Sequence, residues 1–232
     1  MTKLVANMVG RNEASRYLDE VLTHLRTVVD EIVFTDDCSD DDTMTVAKKY
    51  TDHVYQTTEP LFTVHEGKLR TQAWHNLTQH VDAEDWVLAI DCDELLWSER
   101  PNINIRKLMG DPRYDVINVK FYHMWNPTHY RVDKAWAPNN STRLFKFFYG
   151  GKYADRRLAC GSEPDYVNSL VRRRRYNADS GLAMQHLGYM RDEDKQAKYD
   201  RYMTLDGGDF HAIKHIQSIM DPDPTLIGWN KR

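Results

Sequence analysis

Asp85-Trp86-Val87-Leu88-Ala89-Ile90-Asp91-Cys92-Asp93-Glu94 is the stretch that decides the fold. A short apolar run bounded by acids reads as a buried strand, and its C-terminal end delivers Asp91 and Asp93, one residue apart, into a crevice. In open α/β sheets that end of the strands is where ligands bind. Two carboxylates pointing the same way repel each other, so a positive group belongs between them. A hard divalent cation carrying phosphate oxygens satisfies both acids at once.

Before this strand the pattern alternates. Lys3 to Val9 reads as a strand, and Glu13 to Val29 carries Leu18, Val21, Leu22, Leu25 and Val28 at helical spacing with Asn12 as N-cap. Glu31 to Thr35 is a second strand, Ser39 and Asp42 read as a capping box for a helix through Lys49, and His53 to Gln56 is a third strand. Leu69, Ala73 and Leu77 mark one face of a further helix. Such alternation implies crossover connections and a mostly parallel sheet. Beyond it, Asp115 to Tyr122 and Arg143 to Phe148 read as longer, half-polar strands, followed by helices from Asp192 to Met203 and from His211 to Met220. No linker or repeat interrupts the 232 residues, so a single α/β domain is expected.

Composition bounds the function. The 31 basic and 35 acidic residues leave a net charge of -4, which argues against a general nucleic-acid footprint. Arg172 to Arg175 read as a solvated loop or as a contribution to diphosphate neutralisation rather than as one focused patch, because consecutive residues do not share a face. No stretch approaches ~18 consecutive apolar residues, and Met1-Thr2-Lys3 leads straight into a strand, so neither a membrane span nor a signal peptide is expected. Three cysteines, Cys38, Cys92 and Cys160, are odd in number and lack metal-type spacing, which points to a reduced, cytoplasmic protein.

A second acidic strand end lies at Ile32-Val33-Phe34-Thr35-Asp36-Asp37-Cys38-Ser39-Asp40-Asp41-Asp42-Thr43. An acid in that place can accept hydrogen bonds from a ribose hydroxyl or a base N–H. Ser39 and Asp40 to Asp42 read as capping residues for the following helix, whereas Asp36 and Asp37, still on the strand, read as ligand contacts.

With Leu4 to Val9 followed by Arg11-Asn12-Glu13-Ala14, then Asp36 to Thr43, then Asp85 to Glu94 in register, the chain resembles a family 2 glycosyltransferase over residues 1 to about 95. The resemblance implies a GT-A fold: a Rossmann-like nucleotide-binding half (1–95) and a mixed-sheet acceptor half with C-terminal helices (96–232). It implies a nucleoside-diphosphate sugar as donor, with UDP as the expected nucleotide, and Mn²⁺ or Mg²⁺ as cofactor. Carried over by position, Met8 to Arg11 border the nucleobase, with Met8 and Arg11 as contacts, and Asp36 or Asp37 holds the base or ribose. Arg70 neutralises pyrophosphate or contacts the base, Asp91 touches ribose and metal, and Asp93 is the main metal ligand. In the family pattern a Gly usually stands where this chain has Cys38.

Related enzymes carry a His-x-Gly-Tyr element before a Lys/Arg/Tyr helix, matched here by His186-Leu187-Gly188-Tyr189 and by Lys195, Lys198, Arg201 and Tyr202. That match makes His186 a third metal ligand, although a lone buried histidine is commonly a core residue. An inverting transferase needs a carboxylate to deprotonate the acceptor hydroxyl. The turn-rich loop Cys160-Gly161-Ser162-Glu163-Pro164-Asp165 offers Glu163 first and Asp165 second, with Asp155 a third candidate. The acceptor is an unidentified hydroxyl on a glycan, a protein, a lipid or a modified nucleic acid. Tyr122, Trp125, Tyr130 and Trp136 read equally as a sugar-stacking surface or as core.

Three rivals use the same residues. A haloacid-dehalogenase-like phosphatase would use Asp91 as nucleophile, but its motif ends the first strand and carries Thr or Val where this chain has Leu95. A nucleotidyltransferase needs a longer, Gly-rich basic loop than Gly10-Arg11-Asn12-Glu13. A non-catalytic nucleotide-binding module of the same fold is the third.

Overall fold

A computed structural model of the chain describes residues 2–99, 103–158, 160–172, 176–177, 179–206 and 211–229. In chain order the elements are β1 (Leu4–Gly10), α1 (Leu18–Leu25), β2 (Glu31–Asp36), α2 (Thr43–Ala47), β3 (Val54–Gln56), α3 (Glu66–Leu77), β4 (Trp86–Ala89), β5 (Glu94–Ser98) and α4 (Ile105–Met109). They continue with β6 (Val116–Asn126), β7 (His129–Arg131), β8 (Asn139–Lys146), α5 (Asp165–Arg172), β9 (Tyr176–Asn177), β10 (Leu182–His186), α6 (Asp192–Leu205), α7 (Ile213–Gln217) and β11 (Leu226–Gly228).

The strands among the described residues form one sheet whose main path runs β11-β7-β6-β8-β4-β1-β2-β3, with β10 bridging β5 and β6. β1, β2, β3 and β4 are mutually parallel. β8 then joins β4 and β6 antiparallel, which makes the second half mixed. Strands covered on both faces carry near-continuous apolar runs, and Leu4, Val5, Ala6, Trp86, Val87 and Leu88 are all wholly buried. On one face α1 lays down Leu18, Val21, Leu22 and Leu25, none of which retains any exposure. On the other, Trp74 and Leu77 of α3 pack with Val5, Val33 and Val87. The two crossover helices thus fix the four parallel strand ends on one side of the sheet.

Several local expectations give way to longer-range bonds. Asn12 does not cap α1, which begins at Leu18 with Tyr17 before it. Instead Asn12 stands at φ 55°. Its side-chain oxygen accepts from the Asp40 backbone N–H at 3.0 Å, and its own N–H donates to Ser39 Oγ at 2.9 Å. Ser39 is therefore spent on the 10–13 loop and forms no capping box with Asp42. Cys38 adopts φ 55°, the left-handed region that glycine enters without strain, so the turn expected from the family pattern is kept in spite of the substituted side chain.

Trp125 and Trp136 are buried in a C-terminal cluster with Tyr189, Ile216 and Ile219, so these two aromatics pack the core. Arg131 is wholly buried among them. Its guanidinium lies 4.6 Å from the Trp125 ring and 5.2 Å from the Trp136 ring. It donates to Asp133 at 2.6 and 2.8 Å, to the Ser218 carbonyl at 2.5 Å and to Asp221 at 3.1 Å. Removing one member of a buried charge network leaves the others unpaired. Arg131→Ala is expected to lower the unfolding free energy by about 3–5 kcal/mol in urea titrations, with loosening concentrated in residues 213–229 on hydrogen exchange.

Candidate active site

The C-terminal ends of β1, β2 and β4 open onto a cleft of about 630 Å³. Its floor is the turn after β4, where Asp91, Asp93 and Glu94 fall within four residues. Each carboxylate has its own cation, brought from a different element. Arg70 of α3 donates to Asp91 at 3.2 Å. Arg143 of β8 donates to the buried Glu94 at 2.6 Å, and the other Glu94 oxygen accepts from the Asp91 backbone N–H at 3.0 Å, which fixes the turn. Lys198 of α6 reaches Asp93 at 3.2 Å.

Burial works against ionisation of Asp93, but Lys198 and His186 overcome it and hold the carboxyl well below its ordinary range. Burial likewise opposes Asp91, and Arg70 and Arg143 more than offset it. In Glu94, burial together with the neighbouring Asp91 and Asp93 pushes the carboxyl up against the pull of Arg143.

His186 ends β10, opposite Glu94 of β5 and in register with His123 of β6. Its Nε2 lies 3.3 Å from Asp93 Oδ2 and 3.1 Å from Lys198 Nζ, and its Nδ1 lies 3.1 Å from Nδ1 of His123. Burial and Lys198 lower its basicity, so the ring is neutral near pH 7. Nε2 stands between an ammonium that can only donate and a carboxylate that can only accept, while Nδ1 faces His123; with the ring proton on Nδ1, Nε2 offers its lone pair to a cation. Asp93 and His186 thus present one oxygen and one nitrogen to a single point, at which Lys198 Nζ stands.

α6 is polar over most of its surface because its inner face roofs the cleft. Asp194 is the anchor, accepting from Arg16 Nε at 3.0 Å and from Tyr17 O–H at 2.8 Å. Four residues on, Lys198 falls on the same face, and Arg201 and Tyr202 also line the cleft. The close approach requires Gly188. A Cβ there would stand 2.2 Å from both Asp93 Oδ2 and Lys198 Nζ.

The loop after β8 closes another side. It lies across the start of α3, where the Glu66 and Gly67 N–H groups donate to the Arg157 and Arg156 carbonyls at 2.9 Å each. Glu66 in turn accepts from the Cys160 N–H at 3.1 Å. This clamp brings Glu163, half-buried, into the cleft wall with Arg143 and Asp91. Asp165 instead opens α5, exposed and outside the cleft lining, and Asp155 is exposed and paired with His65 at 2.9 Å.

Beside the ends of β1 and β2, Asp37 and Arg11 line the cleft and Asp36 does not. Asp37 accepts from the Leu61 N–H at 2.7 Å and the Thr57 hydroxyl at 3.2 Å on Oδ1 and from the Phe62 N–H at 2.9 Å on Oδ2, which leaves lone-pair capacity on Oδ2. Asp36 is buried, accepting from the Ser39 N–H at 2.9 Å and from Gln56 Nε2 at 3.0 Å. Met8 is wholly buried in the core beneath the sheet, and Val9 and Gly10 stand at the cleft in its place. Of the residues named from sequence, Arg11, Asp37, Arg70, Asp91, Asp93, Glu163 and His186 share the cleft.

Glu13, Arg143 and Lys198 also face it, without having been assigned a role from sequence. Glu13 is the most unusual of them, because one carboxylate oxygen binds Arg16 at 2.8 Å and the other is buried without a partner. Burial pushes its carboxyl from 4.5 to about 7, with Arg16 opposing and Asp93 adding. The raised value means that the neutral form stabilises the fold, fully below about pH 4.5, and that this contribution is lost as pH rises through about 7. Nucleotide-free protein is expected to lose up to ~3 kcal/mol between pH 5 and pH 8 through this group, and Glu13→Gln to flatten that part of the profile in urea titrations.

The sequence profile of glycosyl transferase family 2 matches residues 8–170. No curated protein sequence matches the chain. Among solved structures, the mannosyltransferase PcManGT from Pyrobaculum calidifontis, in complex with GDP-Man and Mn²⁺, is similar over 95% of this chain and 70% of its own, at 13% identity and a TM-score of 0.52. S. aureus TarS 1-349 in complex with UDP is similar over 94% and 70%, at 17% identity and a TM-score of 0.49. Mannosyl-3-phosphoglycerate synthase from Rubrobacter xylanophilus is matched over 54% of this chain, at 20% identity and a TM-score of 0.36, and this chain spans 41% of its length. The architecture is that of the GT-A glycosyltransferases. With more than two thirds of its residues inside the family profile, the chain belongs to glycosyl transferase family 2.

Proposed function

We propose that the chain is a metal-dependent glycosyltransferase that moves a sugar from a nucleoside-diphosphate sugar, taken as a UDP-sugar, to a hydroxyl acceptor with inversion. The observation that carries this reading is the convergence in one cleft of a strand-end acid for the nucleoside (Asp37), a buried arginine (Arg70), a two-donor cation seat (Asp93 and His186) and a carboxylate on the opposite wall (Glu163).

The donor set fits a cation such as Mn²⁺ or Mg²⁺. One carboxylate oxygen and one neutral imidazole nitrogen, each about one-eighth exposed, suit an ion that completes its shell with substrate oxygens. When bound, the ion supplies charge neutralisation to the departing diphosphate. Arg70 adds positive charge beside Asp91 on the same floor. Glu163 takes the proton from the acceptor hydroxyl as it attacks the anomeric carbon. A phosphatase reading would need Asp91 as nucleophile, but Arg70 and Arg143 hold that carboxylate as one member of a paired cluster. Among the described residues no helix is long and apolar enough to cross a membrane. The proposed cytoplasmic setting rests on Cys38, Cys92 and Cys160 being free thiols.

Asp93→Ala is expected to abolish both sugar transfer and slow donor hydrolysis. Glu163→Gln is expected to lower kcat by about 10²–10⁴-fold with the donor KM little changed. Steady-state assays over a panel of donors with Mn²⁺ test both, and near-normal turnover by either variant overturns its assignment.

Lys198 stands where the cation belongs, so the two compete for Asp93 and His186. In nucleotide-free protein, Lys198→Met is expected to tighten Mn²⁺ binding by about tenfold or more, one lost ion pair being worth upwards of ~1.4 kcal/mol at a site this enclosed. Electron paramagnetic resonance titration of free Mn²⁺ measures this directly, and an unchanged affinity removes Lys198 from the seat.

A further inference from the structure

We propose a second cation site, separate from the cleft, in which Glu31, His53 and His80 bind a divalent transition metal of the zinc type. Glu31 opens β2, His53 immediately precedes β3, and His80 follows α3. All three lie at the N-terminal end of the parallel strands. Asp36 ends the same β2 five residues later, so the cluster sits about 16 Å from the catalytic side of the sheet.

One ligand atom from each residue lies within 4.8 Å of the others. The two imidazoles are nearly face to face, with centroids 3.9 Å apart and planes at 31°. Each potential ligand has a neighbour that aims it. Lys3 Nζ binds Glu31 Oε1 at 2.7 Å, which leaves Oε2 to face His53 Nε2 at 3.6 Å. The Tyr55 hydroxyl lies 2.7 Å from His80 Nε2, a bond that fixes one ring nitrogen and leaves the other for a ligand. Metal-binding histidines are commonly oriented in this way by a partner on the second nitrogen.

Charge supports the assignment. Burial together with the neighbouring His53 lowers the basicity of His80, so this imidazole offers a lone pair near pH 7. Two imidazoles and one carboxylate with a fourth position open to water form a donor set that zinc takes readily. Ligand atoms around tetrahedral zinc lie about 3.4 Å apart, so the cluster closes by rotation of three half-buried side chains on an unmoved backbone. A metal there ties the edge strand β3, only three residues long, to the start of β2 and the end of α3.

The site stands independently of the catalytic reading, and its test is arranged to keep the two apart. Zinc binding is measured by thermal shift and, with Co²⁺ in its place, by visible absorption of a tetrahedral complex, in an Asp93→Asn background that disables the cleft seat. One equivalent is expected to bind and to raise Tm. His53→Ala and His80→Ala, each in the same background and each shown to be folded by circular dichroism, are expected to lose the shift and the cobalt bands. Tyr55→Phe is expected to weaken binding by about tenfold. Absence of uptake in the Asp93→Asn protein, or uptake that survives both histidine substitutions, overturns the proposal.

Discussion

Three carboxylates within four residues cannot share one turn unless three cations are brought to it, and much of this fold can be understood as the means of bringing them. Asp91, Asp93 and Glu94 follow a wholly buried strand, where unpaired charge is costly. The answering groups come from α3, α6 and β8, elements far apart in sequence. Arg70 and Arg143 are embedded in their elements and already hydrogen-bonded. Lys198 differs, being a flexible point charge on a helix that rests on the rest of the molecule from one side. The floor therefore has two guanidinium counter-charges and one ammonium, the one that shares its place with the proposed cation.

That division separates scaffold from reagent. Glu94 with Arg143 sets the backbone of the turn, since a Glu94 oxygen holds the Asp91 N–H. Glu66 joins Arg70 to the loop that carries Glu163, because it contacts the Arg70 guanidinium at 3.4 Å and accepts from the Cys160 N–H. The same arginine that faces Asp91 is thus coupled to the placement of the opposite wall. Buried networks of this kind fix geometry more than they add stability.

The parallel half was legible in the sequence because its signals are local: apolar runs of strand length, amphipathic spacing in α1 and acids at two successive strand ends. Asp37, Arg70, Asp91 and Asp93 reach the cleft for that reason. Failures came where a side chain serves a distant partner. Ser39 and Asp42 have capping-box spacing, yet Ser39 turns to Asn12. Asp36 and Asp37 are indistinguishable by neighbourhood, but strand alternation sends one into a buried bond with Gln56 and the other to the cleft. Met8 fails by the same alternation. Arg143 carried no local signal and Lys198 was legible only as one member of a Lys/Arg/Tyr helix, because their contacts with the acidic turn exist only once β8 and α6 lie beside β4. Trp125 and Trp136 could have served a sugar or a core, and their burial with Tyr189, Ile216 and Ile219 around the buried Arg131 decides for the core.

The anchoring of α6 has a consequence for how the chain matures. Tyr17 and Asp194 are 177 residues apart, and Asp93 and Lys198 are 105 apart. Contacts of such separation form late, because the long loop must close before they return any energy. During synthesis the strand bearing Asp91 and Asp93 emerges with its neighbours while its exchangeable counter-charge is still unmade. The nascent sheet thus presents its acidic turn before α6 has brought Lys198 to it.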